Sequence, residues 1–187
     1  MRNCVGILKF SEMIFAETTI KGAYTVDVER HRDDRGYFAR SWCQQEFEQH
    51  GLVAKIVQTN ISFNSRAGTL RGMHYQVAPF EEVKVVRVTR GALYDVIVDL
   101  RPASPSFEQW FGVELSEDNQ RALYIPTGCA HGFLTLADDT EVTYLMSEFF
   151  APQAARGFRW NDAAFRVAWP RDVAVISDRD RTWPDFR

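Results

Sequence analysis

The sequence predicts an all-β fold, a jelly roll of short strands with only short peripheral helices. Three observations carry that expectation. From Tyr24 onward, short segments rich in Val, Ile, Tyr and Phe recur between clusters of Gly, Pro, Asp and Asn. Aromatic residues make up 13% of the 187-residue chain, a composition suited to pleated, half-buried surfaces. Tight turns separate the segments, and closing such a meander into a barrel or sandwich removes exposed strand edges.

The strands expected, in order, are Tyr24–Glu29, Lys55–Phe63, Thr69–Tyr75, Lys84–Arg90, Ala92–Asp99, Gln109–Leu115, Ala122–Ile125, His131–Thr135 and Glu141–Met146. Arg90-Gly91, Pro126-Thr127-Gly128 and Asp138-Asp139 read as breaks between them. One helix is expected, Cys43–His50, where Gln44, Phe47 and Glu48 have helical spacing and Gly51 supplies the stop. The chain reads as one domain, 1–187, with an N-terminal extension, 1–23, and a C-terminal segment, 151–187, that wraps the barrel in loops and short helical turns. The first residues, like most chain ends, are expected to be loosely ordered.

Hydrophobic residues at 45% and charged residues at 25% describe an ordinary soluble protein. A chain of this size buries roughly two-thirds of its unfolded surface, so it needs neither disulfides nor a structural metal. The net charge of -3, with no Lys/Arg block, argues against nucleic acid as a partner. Cys4, Cys43 and Cys129 are odd in number and widely spaced, which fits neither a disulfide framework nor a zinc site and favours a reducing compartment. No run approaches the ~18 apolar residues of a membrane span, and no leader pattern precedes Glu12. A cytoplasmic domain with no membrane partner is expected.

Of the four histidines, His31 and His50 lie in polar surroundings. His74, in Leu70-Arg71-Gly72-Met73-His74-Tyr75-Gln76, and His131, after Pro126-Thr127-Gly128-Cys129-Ala130, sit in strand patterns. Taken alone, each reads as a core histidine. Pro126 to His131 spells P-x-G-x-x-H, one half of the cupin signature, which refines the fold class to a cupin-type double-stranded β-helix. The other half normally offers His-x-His for a metal, and His74-Tyr75-Gln76 breaks it. Two histidines without a third ligand make a poor metal site, so side-chain acid–base groups are expected to carry any chemistry.

Ordered motifs now accumulate: Arg35-Gly36-Tyr37-Phe38, Gln58-Thr59-Asn60, Leu70 to His74, Lys84-Val85-Val86-Arg87, Asp95 to Asp99, Ile125 to Gly128, Ala130 to Phe133, Trp160-Asn161-Asp162 and Ser177 to Asp180. In this set the chain resembles the nucleotide-deoxysugar epimerases typified by dTDP-4-dehydrorhamnose 3,5-epimerase. The resemblance implies a cofactor-free and metal-free homodimer that inverts carbons 3 and 5 of a nucleoside-diphosphate 4-keto-6-deoxyhexose. Those carbons flank the ketone, so the reaction needs a base on one face, an acid on the other and positive charge near the ketone oxygen.

On that resemblance His74 is the base, Asp180 its partner carboxylate, Tyr144 the general acid and Lys84 the group that stabilises the enolate. His131 and Asp95 steady the network around them. Arg71 is matched to the diphosphate, Gln58 and Asn60 to the nucleotide side, and Phe150 to a base-stacking position where a Tyr is common. Arg35 and Phe38 match the segment that reaches into a neighbouring subunit's site. Plainer readings stand beside these. Arg35 could simply pair with Asp33 or Asp34, Tyr144 could be core packing, and the run Asp178-Arg179-Asp180-Arg181 alone reads as a solvated loop.

Three positions depart from the familiar pattern: Arg40 for a Glu, Ile61 for a His, and Phe150 for a Tyr. They leave a CDP-, GDP- or UDP-linked substrate open beside the dTDP sugar. A C3-only epimerase, a 3,4-ketoisomerase and a non-catalytic sugar-binding cupin remain the alternatives.

Overall fold

A computed structural model describes residues 12–186. Strands β1 (Ile14–Glu17), β2 (Tyr24–Asp27), β3 (His31–Asp33) and β4 (Gly36–Phe38) precede helix α1 (Gln44–Gln49). Strands β5 (Gln58–Asn64), β6 (Thr69–Gln76), β7 (Lys84–Arg90), β8 (Ala92–Asp99), β9 (Trp110–Ser116), β10 (Ala122–Ile125), β11 (Cys129–Thr135) and β12 (Thr140–Met146) form the body. Two short strands, β13 (Ala155–Gly157) and β14 (Val175–Ile176), and helix α2 (Asp178–Thr182) close the chain.

Two sheets face each other. The first runs β1-β2-β10-β7-β12-β5 and the second β13-β6-β11-β8-β9, with β14 added in parallel to β6. Side chains from both, among them Val86, Val88, Leu93, Ile97, Leu123, Phe133 and Val142, fill the space between them. A second cluster on the outer face of the first sheet packs Phe47 of α1 and Met13 against Val26, Val85 and Tyr124. A third, on the outer face of the second sheet, sets Phe158 and Phe165 of the C-terminal segment against Met73, Val96 and Val98. Sheets covered on both faces explain why Lys84–Val86 of β7 and Asp95–Asp99 of β8 are buried residue after residue rather than alternately. Burying a side chain such as Phe47 contributes roughly 1.5–3 kcal/mol.

The body strands and α1 lie where the sequence places them, with ends shifted by up to three residues. The N-terminal segment differs. Ile14–Glu17 pairs antiparallel with Tyr24–Asp27 and forms the edge of the first sheet, so the expected loose extension joins the barrel from Ile14. Residues 1–11, including Cys4, lie outside the described residues. The charged run after Ser177 also differs, because it is helical and its Asp180 is buried.

One irregularity positions chemistry. Across β6 and β11, His131 faces His74 and Phe133 faces Arg71, so two steps on one strand oppose three on the other. In a regular strand Arg71 and His74, an odd number apart, would point to opposite faces. The extra residue at this bulge turns both into the same cavity. Gly72 sits in the bulge at φ 144°, and a Cβ there would come within 2.5 Å of the Gly132 Cα. Only glycine allows that approach.

Candidate active site

A cavity of about 470 Å³ opens at one end of the barrel. Its wall from β5 inverts the usual pattern. Gln58, Asn60 and Ser62 face the cavity, while Phe63 and most of Ile61 are exposed on the outside, with Ile61 also reaching the rim. A strand that turns its polar residues inward is lining a site rather than a core. Arg71 and His74 enter from β6, Lys84 from β7, His131 from β11 and Tyr144 from β12. Phe150 stands exposed at the mouth, its backbone N–H donating to Gln58 Oε1 at 3.4 Å.

His74 Nε2 lies 2.6 Å from Asp180 Oδ1. Asp180 reaches that position because Ser177 caps α2, its hydroxyl accepting from the Asp180 N–H at 3.1 Å. The Gly72 N–H adds a weaker contact to Oδ2 at 3.4 Å. Burial alone would raise the Asp180 carboxyl, but the hydrogen bond and charge of His74, helped by Gly72 and Ser177, hold it below the usual carboxylate range. A carboxylate fixed on one ring nitrogen leaves the opposite nitrogen free to meet a ligand, and its charge favours the imidazolium form. The imidazole side chain is 40% exposed and can meet a ligand.

A second pair sits beside the first. His131 Nε2 lies 2.6 Å from Asp95 Oδ1, with both side chains buried. The Tyr144 ring stands edge-on to His131 at 6.4 Å. Burial, followed by the Asp95 charge, pushes the Tyr144 phenol upward, and the opposing pull of Ser62 and Arg71 does not cancel it. Such a phenol keeps its proton at neutral pH and can give it up only to a stronger base.

Cations and amides line the rest. Arg71 Nε donates to Asn64 Oδ1 at 2.8 Å, which leaves the guanidinium's terminal nitrogens for an anion. Gln58 Nε2 donates to Asn60 Oδ1 at 3.0 Å. Lys84 Nζ is 3.0 Å from Glu82 Oε1. Among the described residues, no three His, Cys, Asp or Glu side chains come together as a metal-ligand set.

The structure thus brings His74, Asp180, Tyr144, Lys84, Arg71, Gln58, Asn60, His131 and Phe150 to one cavity. Arg35 and Phe38 are not in its wall. They lie on the β3–β4 hairpin, both exposed, and Arg35 pairs with Asp33. Arg40 is paired with Glu46 of α1 and is likewise absent from the wall. Glu82, Ser62, Arg156 and Arg179 line the cavity but are missed from sequence. Ser62 extends the every-second-residue row of Gln58 and Asn60, a signal that was available. Glu82, two residues before Lys84, was masked by the ordinary look of a Glu-Glu pair.

The chain matches the family model described as dTDP-4-dehydrorhamnose 3,5-epimerase over residues 17–187. It is 39% identical over 180 residues to the dTDP-4-dehydrorhamnose 3,5-epimerase of Methanothermobacter thermautotrophicus, covering 95% of this chain and 96% of that one. The enzyme of the same name from Pseudomonas aeruginosa is 44% identical over 156 residues, covering 82% and 85%. Among solved structures, the dTDP-4-dehydrorhamnose 3,5-epimerase of Bacillus anthracis with TDP and PPi bound superposes with a TM-score of 0.90 at 41% identity, covering 93% of this chain and 99% of that one.

Proposed function

The chain belongs to the dTDP-4-dehydrorhamnose 3,5-epimerase family, and from that premise we propose that it converts dTDP-4-dehydro-6-deoxy-D-glucose to dTDP-4-dehydro-L-rhamnose. The observation that carries this reading is the meeting of four groups in one cavity: the His74–Asp180 pair, the Tyr144 phenol and the Lys84 ammonium. His74 removes the proton from a carbon beside the ketone, and the electron pair moves to oxygen as an enolate. Lys84 holds that oxyanion. Tyr144 then gives its proton to the opposite face of the carbon, and solvent restores both groups for the second centre. Every step is a proton transfer, so the reaction is redox-neutral and calls for no cofactor or metal.

Arg71 binds the diphosphate, while Gln58, Asn60 and Phe150 receive the nucleotide. His131 with Asp95 steadies the wall beside Tyr144. Arg35 and Phe38 act in a second copy of the chain, which makes the working unit a homodimer. Free Cys43 and the buried free Cys129 support a reducing compartment, the cytoplasm, and no helix among the described residues is long and apolar enough to cross a membrane.

Proton NMR in D2O tests the proposal. With dTDP-4-dehydro-6-deoxy-D-glucose, both the carbon-3 and carbon-5 signals should disappear as deuterium enters. Loss at carbon 3 alone would make this a mono-epimerase, and no exchange at either centre would end the reading.

A further inference from the structure

Glu82 is a buried carboxylate in the cavity wall that the proposed mechanism does not use. One oxygen is 3.0 Å from Lys84 Nζ, with the two side chains 5% and 11% exposed. The other oxygen is buried and makes no hydrogen bond among the described residues. A carboxylate held this way is costly, because half of it has lost water without a replacement. A glutamine would present the same acceptor to Lys84 at a smaller desolvation cost. What glutamate adds is negative charge.

We infer that Glu82 is a positioning residue that holds the Lys84 ammonium aimed at the ketone oxygen, an inference that rests on the enolate chemistry proposed above. The surroundings make the charge matter. β6 presents Arg71 and His74, β11 His131, β13 Arg156, and α2 Arg179 with Asp180. Asp180 is engaged by His74, and Asp95 by His131. Tyr144 on β12 stays neutral, and the strand partners of Lys84 itself, Ile125 and Met146, carry no charge. Glu82 is therefore the one carboxylate paired with Lys84 among the described residues, in a wall that also holds three guanidinium groups. Two of the ammonium's three donors are accounted for by Glu82 and, at 3.5 Å, by the His74 carbonyl. The third is free for a developing oxyanion.

Glu82→Gln keeps the acceptor and removes the charge, and Glu82→Ala removes both. In the deuterium-exchange assay Glu82→Ala should lower kcat about a hundredfold near neutral pH, the low end of the range for losing one oxyanion-stabilising donor, and Glu82→Gln about tenfold, because it keeps the acceptor. KM and the affinity for dTDP should change by less than about threefold, since Lys84 acts on the transition state. A loss confined to KM, or a deficit equal in both variants, would overturn the inference while leaving the epimerase reading intact. Inactive wild-type enzyme would instead strike the reading itself. One further test avoids variants of Glu82. The chain has four lysines, Lys9, Lys21, Lys55 and Lys84, so nitrogen-15 lysine spectra should show one slowly exchanging ammonium that vanishes in Lys84→Arg. Four rapidly exchanging ammonium groups would contradict a held ion pair.

Discussion

Two His–Asp pairs stand side by side in this barrel, with the same 2.6 Å separation and different surroundings. His74 and His131 face each other across β6 and β11. The partner of His74 comes from α2, 106 residues along the chain, whereas the partner of His131 comes from the adjacent strand β8. His74 is 40% exposed on its side chain and His131 6%. Asp180 has help from Gly72 and Ser177, while the second oxygen of Asp95 has no hydrogen bond among the described residues. Geometry within a pair does not separate a base from a brace. Access differs: the His74 side chain is open enough to meet both its carboxylate and a ligand, whereas His131 lines the same cavity with only 6% of its side chain exposed.

Replacing His74 should cost the most activity. His74→Asn should lower the deuterium-exchange rate about 10³-fold, equivalent to about 4 kcal/mol of barrier, with little change in thermal stability. His131→Asn should behave in the opposite way. It strips a fully buried carboxylate of its imidazole partner, a class of change that costs about 3 kcal/mol of stability. Its folded fraction should keep the rate within about tenfold of wild type. Urea denaturation together with exchange kinetics on both variants would decide the matter. If His131→Asn lost rate rather than stability, the two histidines would be sharing the chemistry.

The same contrast explains what was legible in the sequence. His131 and Asp95 lie in long strands of strong β pattern, and the body strands β6 to β12 were visible because burial on one or both faces selects Val, Ile and aromatic residues. Gln58 and Asn60 were legible through the Gln58-Thr59-Asn60 motif, and Ser62, next in the same row, was not. The missed elements are short and exposed. β3 is His31-Arg32-Asp33 with no buried residue, so only its pairing with β4 makes it a strand. Asp180 was the hardest. Its neighbours Asp178, Arg179 and Arg181 are exposed, as a charged run should be, and the burial of Asp180 is imposed by β6, which local sequence does not encode. Resemblance to a family supplied that residue, and composition could not. Nor does spacing say that Arg71 and His74 share a face, because the bulge at Gly72 reverses the alternation between them. The glycine inside a strand pattern was the one hint.

A third buried carboxylate, Asp99, differs from both in its donors, and replacing it should have the smallest effect. Asp99, at the end of β8 and outside the cavity wall, is fully buried like Asp95 but is surrounded by donors. It accepts from the Arg101 backbone N–H at 3.0 Å and guanidinium at 2.7 Å, and from the hydroxyls of Ser104 and Ser106 at 2.5 and 2.7 Å. Burial acts to raise its carboxyl, yet these bonds prevail and bring it down to about 2 from 3.8. A group depressed on folding contributes stability that is complete above its unfolded value near 4 and is lost as pH falls toward 2. The shift corresponds to about 2 kcal/mol. Asp99→Asn should therefore leave the exchange rate unchanged and be less stable than wild type at pH 7. The gap should narrow by about 2 kcal/mol in urea titrations taken from pH 5 down to pH 2. Asp180 titrates alike in both proteins and cancels from the difference. A gap that stays constant across that range would mean that Asp99 is held by shape rather than by its charge, and that a buried carboxylate here needs no full complement of donors.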